Sequence, residues 1–226
     1  FVVAEGAEAG GHIGDIGHPL PSLVTEVLAA TSLPVVAAGG VDAADVSRFL
    51  AAGAAGDQTA TRFLACSDGD VHPAFKEMHL GKTADDVTII TSCVKGMKAR
   101  AVRNAFTEKL ARGEAVPPKA KAWWFGKDGY QGRKKSCIEC LGEGLCVCRA
   151  SGFKESFCIT DALLAAAVHG DTENGLFYTG MSLVRIGERT LAELPSAAQI
   201  LGELEARLAE EARPAAPRAS ECVVAA

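Results

Sequence analysis

Short runs of apolar, β-branched residues alternate with helical patterns over the first 65 residues of the chain. The first run is Phe1 to Ala4, the second is Pro34 to Ala38, and a weaker third run covers Asp57 to Phe63. Amphipathic stretches separate these runs, so the predicted order of elements is β-loop-α-β-loop-α-β. This alternation is typical of βα units on a parallel sheet. The loops that follow the strands are then expected at one edge of the sheet, beyond the carboxyl ends of the strands.

Capping residues and glycines predict where the two helices between these strands begin and end. Ser22 is placed to cap a helix over Leu23 to Ala30, and Asp42 is placed to cap the second helix. Gly53 follows the second helix, as expected for a C-terminal cap. The predicted apolar face of the second helix consists of Val46, Phe49 and Leu50.

Helical patterns dominate the chain after Leu64. Helices are expected in residues 70–82, Ala99 to Arg112, Asp161 to His169 and Leu191 to Glu211, and a short strand is expected at Thr88 to Ser92. The last helix is expected to carry Leu191, Leu194, Ile200, Leu201, Leu204 and Leu208 on roughly one face. Val116 to Lys135 combines prolines, glycines and aromatics without a period, so we interpret it as an ordered loop or interface segment.

Composition and charge narrow the class of protein. The chain has 226 residues, 48% of them apolar and 23% charged, with a net charge of −5, a pI of about 5.6 and a mean hydropathy of +0.14. The acidic balance argues against nucleic acid as a partner. No segment resembles a membrane helix of about 18 apolar residues, and no signal-peptide pattern opens the sequence. We therefore expect no membrane partner.

The eight cysteines and the histidines carry separate expectations. Many cysteines without a signal sequence favour a reducing compartment, so we expect a cytoplasmic protein. The cluster of Cys137, Cys140, Cys146, Cys148 and Cys158 leaves two interpretations open, a zinc or iron–sulfur site and reduced structural thiols. The spacing matches neither metal pattern well, so no metal ligand is assigned. We expect His18, His72, His79 and His169 to be solvated or capping residues.

Three predicted strand ends provide the residue types of a phosphate-binding cradle. Glycines let backbone N–H groups approach an anion, and small hydroxyl side chains add further donors. The candidate residues are Gly10, Gly11 and His12 after the first strand, Gly39 and Gly40 after the second, and Ala60 and Thr61 at the third.

The order of these loops resembles the last three strand-loop units of the flavin-dependent nitronate monooxygenase family. The strings concerned are EGAEAGGHIG (Glu5 to Gly14), PVVAAGGV (Pro34 to Val41) and GAAGDQTATRF (Gly53 to Phe63). ARAVRNAF (Ala99 to Phe106) and DALLAAAVHGDTENGLFYTG (Asp161 to Gly180) are similar to a branch of the family that carries extra cysteines. The resemblance extends over roughly residues 1–190.

The resemblance implies an α/β fold that forms the C-terminal part of a TIM-type barrel, with FMN at the barrel mouth. The three strands would be the sixth, seventh and eighth, so the family's first five strands are absent from this sequence. Gly39, Gly40, Ala60 and Thr61 would hold the FMN phosphate, and Gly10 and Gly11 would also contact the cofactor. The expected regions are the partial barrel (1–65), a mostly helical region (66–190) with the cysteine cluster at 137–158, a C-terminal helix (191–212) and a flexible tail (213–226).

The implied chemistry is the oxidation of a nitronate or nitroalkane with O2 to a carbonyl compound and nitrite. His12 occupies the position of the family's active-site histidine, and its ordinary pKa suits it to act as the base. The alternatives are a flavin-dependent enoyl-acyl-carrier-protein reductase that uses NAD(P)H, and an inactive, truncated barrel fragment that acts as a binding module. The long helix after Leu191 and the Trp123-Trp124-Phe125 segment leave a homo-oligomer open.

Two residues at the third strand affect these expectations. Asp57 stands where the family usually has an apolar side chain, and an aspartate is unfavourable in a buried strand. Arg62 has two interpretations, one as an added charge at the phosphate and the other as a member of an outward-facing salt bridge.

Overall fold

The structure is a computed structural model that describes residues 1–14, 17–91, 97–114 and 157–211. The segment at 116–135, the cysteines Cys137, Cys140, Cys146 and Cys148, and the tail lie outside these residues, so the expectations for them are not tested. The helices and strands are, in chain order, β1 (Val2–Glu5), β2 (Gly11–Ile13), α1 (Leu20–Ala30), β3 (Val35–Ala38), α2 (Ala43–Ala51), β4 (Gly56–Gln58), α3 (Thr61–Leu64), α4 (Pro73–Glu77), β5 (Val87–Thr91), β6 (Lys98–Val102), α5 (Ala105–Ala111), α6 (Ile159–Ala167) and α7 (Ala197–Glu211). Short 3₁₀ turns cover Ala84–Asp86, Met181–Arg185 and Leu191–Glu193.

The first sheet is parallel and has the strand order β1-β3-β4. Helices α1 and α2 connect its strands, so the predicted β-loop-α-β-loop-α-β order is confirmed. Buried apolar side chains from the strands and both helices form one core cluster: Ala4, Leu20, Val24, Val35, Ala37, Val41, Val46, Phe49 and Ala54. Leu50 was expected on the buried face of α2 and is instead 36% exposed.

The two predicted helix starts differ in outcome. Asp42 caps α2 as expected: it accepts a hydrogen bond from the Ala43 N–H at 2.7 Å, and the Asp45 carboxylate accepts one from the Asp42 N–H at 3.2 Å. The prediction that Ser22 caps α1 is wrong, because the helix already begins at Leu20 after Pro19. Ser22 lies in the first turn, and its hydroxyl donates to the Pro19 carbonyl at 2.9 Å.

The third strand is shorter than predicted. It ends at Gln58, and the expected strand residues from Thr61 onward form the turn of helix α3. Similarly, only Pro73–Glu77 is helical within the expected helix at 70–82. Helix α7 begins at Ala197, after Pro195, so Leu191 and Leu194 precede it. The predicted apolar face of this helix is also incomplete, because Leu201 is 51% exposed.

A second, antiparallel sheet has the strand order β2-β6-β5. Strand β5 (Val87–Thr91) confirms the strand expected at Thr88 to Ser92, of which residues 88–91 are described. The prediction of one helix over Ala99 to Arg112 is wrong, because strand β6 occupies Lys98–Val102 and helix α5 starts only after Asn104. Ala99 and Ala101 alternate with the more exposed Lys98 and Arg100, which is the two-residue period of a strand. Helix α6 confirms the helix expected at Asp161 to His169.

No helix among the described residues is both long and apolar enough to cross a membrane.

Candidate functional site

A cavity of about 230 Å³ lies at the carboxyl ends of the three parallel strands. All six residues predicted to contact the cofactor line it: Gly10, Gly11, Gly39, Gly40, Ala60 and Thr61. The other lining residues are Glu5, Ala9, Val41, Gln58, Thr59, Leu64, Tyr178, Thr179, Gly180 and Ser182. The parallel register brings the three loops together, because each begins where a neighbouring strand ends.

The loop after β3 depends on two glycines with positive φ. Gly39 has φ +97° and Gly40 has φ +74°, a region that other residues rarely adopt. A Cβ on Gly40 would lie 2.6 Å from the Glu8 Cβ, and one on Gly39 would lie 3.0 Å from the Gly6 carbonyl oxygen. Only glycine fits at Gly40 without a shift of the neighbouring loop.

The loops at β3 and β4 present backbone donors without protein acceptors. Across the described ranges, no carbonyl or side chain accepts a hydrogen bond from the N–H groups of Gly39, Gly40, Ala60 or Thr61. Successive N–H groups on a glycine loop form a concave site of positive partial charge. The chemistry of this donor set therefore fits an anion such as a phosphate group.

A fourth wall of the cavity comes from residues 178–182, far along the chain. The Gly180 N–H donates to Thr61 Oγ1 at 3.0 Å, and the Met181 N–H donates to the Glu8 carbonyl at 2.9 Å. A Cβ on Gly10 would lie 2.3 Å from the Thr179 carbonyl carbon, so this glycine permits close packing of the two segments. Sequence reasoning did not assign this wall to the site. The available signal was the FYTG string, which we interpreted only as a marker of the family branch.

His12 lies on β2 beside the cavity rather than in its lining. Its ring centroid is 5.7 Å from that of Tyr178, a lining residue, with an interplanar angle of 60°. Burial lowers the pKa of the His12 imidazole below its ordinary value. The ring is therefore neutral near pH 7, which is the form that accepts a proton.

Charged groups surround the cavity unevenly. Among the described residues that line the cavity, none is a lysine or an arginine, and Glu5 is the one acidic residue. Burial raises the pKa of the Glu5 carboxyl. Arg100 on β6 donates through Nη1 to the Ala9 carbonyl, which ties the antiparallel sheet to the glycine loop. Arg62 forms a salt bridge with Asp42 at 3.2 Å and contacts Glu203, which confirms the salt-bridge interpretation.

The other histidines mostly match expectation, with one correction. His72 caps α4 by accepting from the Ala74 N–H at 3.1 Å, and His18 is an exposed neighbour of Glu26. The expectation for His79 is wrong, because this side chain is fully buried. Its Nδ1 lies 2.8 Å from the Phe75 carbonyl oxygen, and burial lowers its pKa. Aromatic packing against Phe75 accounts for its burial.

The described cysteines fit structural roles. Cys66 and Cys158 are both buried, and the Cys158 sulfur accepts a hydrogen bond from the Asp161 N–H at 3.4 Å at the start of α6. Within the described parts of the chain, no three His, Cys, Asp or Glu side chains are grouped as metal ligands.

The fold and the cavity define an α/β protein with a cavity at the carboxyl ends of its parallel strands, the place where α/β folds bind their ligands. The profile of the nitronate monooxygenase family matches residues 1–206. The chain therefore belongs to the nitronate monooxygenase family, a family of flavin oxidoreductases.

Individual relatives support the family assignment over part of their length. A Mycobacterium tuberculosis protein named (3aS,4S,5R,7aS)-5-hydroxy-7a-methyl-1-oxo-octahydro-1H-indene-4-carboxyl-CoA dehydrogenase is 40% identical over 115 residues, 50% of this chain and 32% of the relative. A probable nitronate monooxygenase of Staphylococcus aureus strain Newman is 35% identical over 126 residues, 52% of this chain and 35% of the relative. The chain thus spans about a third of the length of these curated relatives.

Solved structures match nearly the whole chain. FabK from Thermotoga maritima is 27% identical, with a TM-score of 0.65 over 93% of this chain and 54% of that protein. Nitroalkane oxidase from Streptomyces ansochromogenes shares the fold at 24% identity, with a TM-score of 0.59 over 92% of this chain and 51% of that protein.

Proposed function

We propose that this chain binds FMN in the cavity and oxidises nitronates and nitroalkanes with O2 to a carbonyl compound and nitrite. The observation that carries the proposal is the set of N–H groups without protein acceptors at Gly39, Gly40, Ala60 and Thr61. These residues would hold the phosphate of the cofactor, and Gly10 and Gly11 would contact it from the first loop. When bound, FMN supplies the electron acceptor for the substrate, and O2 regenerates it.

The proposed architecture is the C-terminal part of a TIM-type barrel. We infer that β1, β3 and β4 correspond to the sixth, seventh and eighth barrel strands. The loops after the last two strands of such barrels commonly bind phosphate, and here the loops after β3 and β4 present the N–H groups without acceptors. The parallel register of the three strands and the FabK similarity support this placement.

His12 is the proposed base. A neutral nitroalkane must lose its α proton before it can donate electrons, and a neutral imidazole accepts that proton. The lowered pKa of His12 keeps the ring in this form near neutral pH. Tyr178 packs beside the ring and lines the cavity, so it would restrict where the substrate lies relative to His12.

The test combines reconstitution with two reductants. The purified chain is mixed with FMN, passed through a desalting column and examined for retained flavin absorbance. The loaded protein is then mixed without oxygen with a nitronate or with NADH. We expect rapid bleaching of the flavin by the nitronate and slow or no bleaching by NADH. Retained FMN that no nitronate bleaches would contradict the proposed reaction.

The second candidate is a flavin-dependent enoyl-acyl-carrier-protein reductase. The similarity to FabK supports this candidate, because the match has 27% identity and extends over 93% of the chain. The opposite result in the same experiment, bleaching by NADH and none by a nitronate, would support this candidate.

The third candidate is a binding module without turnover. The chain spans about a third of the length of its curated relatives, and Asp57 in strand β4 has two buried carboxylate oxygens without a hydrogen-bond partner among the described residues. Protein that folds but retains no flavin after reconstitution would support this candidate and contradict both enzyme proposals.

A further inference from the structure

Ser182, a largely buried residue, contributes a hydroxyl to the cavity. The residue lines the cavity and is only 4% exposed. In the part of the chain that the structure describes, no backbone or side-chain group hydrogen-bonds with this hydroxyl. A ligand in the cavity would supply the missing partner.

Two hydrogen bonds of the residues before Ser182 hold its backbone against the loops that line the cavity. The preceding residues attach to Thr61 through the Gly180 N–H and to the Glu8 carbonyl through the Met181 N–H, at 3.0 and 2.9 Å. The backbone that carries Ser182 is therefore held in place before any ligand binds, which reduces the entropy lost on binding.

Thr61 provides a second hydroxyl in the same cavity. Its Oγ1 accepts from the Gly180 N–H, and a hydroxyl carries one proton of its own to donate. No protein acceptor among the described residues takes that proton. Ser182 and Thr61 thus add two hydroxyl donors to the N–H groups of Gly39, Gly40 and Ala60.

The described lining of this cavity offers an anion uncharged hydrogen-bond donors, not cationic side chains. No lysine or arginine belongs to the part of the cavity lining that the described residues form. Arg62 is engaged by Asp42 and Glu203, and Arg100 donates to the Ala9 carbonyl. Without a cation in the lining, each hydrogen bond to a charged phosphate oxygen accounts for a larger share of the affinity.

We propose that the Ser182 hydroxyl donates a hydrogen bond to the phosphate of the bound flavin and makes the site selective for phosphorylated flavin over riboflavin. This inference rests on the proposed binding of FMN. It assigns a phosphate contact to a segment that lies more than a hundred residues after the predicted phosphate loops.

The test compares two ligands that differ only by the phosphate group. FMN and riboflavin are titrated by fluorescence into the unaltered full chain and into Ser182→Ala, Ser182→Thr and Ser47→Ala. We expect Ser182→Ala to weaken FMN binding about 10- to 100-fold and to change riboflavin binding by less than about twofold. Ser182→Thr keeps a hydroxyl and should retain most of the affinity. Ser47 is a buried serine on α2 outside the cavity lining, so its variant should bind both ligands normally.

Three outcomes would overturn the inference. Unchanged FMN affinity in Ser182→Ala would do so while leaving the proposed function intact, and equal losses for FMN and riboflavin would show that the side chain only supports the wall. Failure of the unaltered chain to bind FMN would contradict the proposed function itself and this inference with it. Circular dichroism verifies folding, and Ser182→Cys, which keeps the size but donates weakly, repeats the comparison if the alanine variant unfolds.

Discussion

Asp57 places a carboxyl group inside strand β4, where both of its oxygens are buried and have no hydrogen-bond partner among the described residues. Burial, with a smaller contribution from Asp45, raises the pKa of Asp57 from 3.8 to about 6. Because the folded pKa exceeds the unfolded one, the native state is most stable below about pH 4, where Asp57 is protonated in both states. It loses this stability as the pH rises through about 6 and the buried carboxyl ionises. We expect the free energy of unfolding to fall by about 1 kcal/mol between about pH 5 and about pH 7.

Urea denaturation at a series of pH values checks this dependence. Asp57→Asn cannot ionise, so its stability should lack the decrease over this range. Asp70→Asn alters an exposed aspartate and should leave the decrease in place. An unchanged pH dependence in Asp57→Asn would assign it to another group.

The proposed role of His12 leads to a second prediction at the scale of single residues. His12→Ala should lower the turnover of neutral nitroalkanes by about 10²- to 10⁴-fold, the usual contribution of a general base. Preformed nitronates have already lost the α proton, so their turnover should change far less. Steady-state rates on both forms of one substrate measure the difference. Equal losses on both forms would mean that His12 positions the ligand instead of removing a proton.

At the scale of elements, the loop between β3 and α2 is the most restricted part of the cavity. Gly40→Ala adds a Cβ at φ +74° and 2.6 Å from the Glu8 Cβ. We expect a loss of stability of about 1–2 kcal/mol from the backbone conformation. FMN affinity should fall about tenfold or more, because the loop N–H groups would be displaced. Thermal unfolding and an FMN titration measure the two effects.

A matched glycine variant controls for the Gly40 prediction. Gly202 lies in helix α7, and a Cβ there would meet no atom within 4 Å. Gly202→Ala should therefore keep FMN binding and raise stability by about 0.5–1 kcal/mol. Normal FMN retention in Gly40→Ala would argue against a phosphate at this loop.

Local sequence signals predicted some elements and missed others for identifiable reasons. The cap at Asp42 was predictable because its hydrogen bonds involve residues at most three positions away. Strand β6 was not, because the alanines of the 99–112 segment also fit a helical pattern. Pairing of β6 with β2 and β5 decided between the two structures. The start of α1 was missed because Pro19 and Pro21 already permit a helix before Ser22.

At the scale of the whole molecule, the cavity links the parallel sheet to the C-terminal segment through Thr61, Glu8 and Gly10. A ligand that contacts both parts binds only the folded chain. FMN at about 100 times its Kd should therefore stabilise the protein by about 2.7 kcal/mol and raise the unfolding midpoint by about 5 °C or more. Thermal scans over a series of FMN concentrations measure this shift. A midpoint independent of FMN would contradict binding at the cavity.

The sequence by itself determined the βα order of residues 1–65 and the glycine loops at the strand ends. Both follow from short-range causes: the hydrophobic period, the caps, and the backbone conformations that only glycine adopts at Gly39 and Gly40. The tertiary structure alone decided the course of β6, the burial of His79, and the fourth wall at Tyr178 and Ser182. These features depend on contacts between residues far apart in the chain, and no local pattern specifies which distant segment will supply a hydrogen bond or cover a loop.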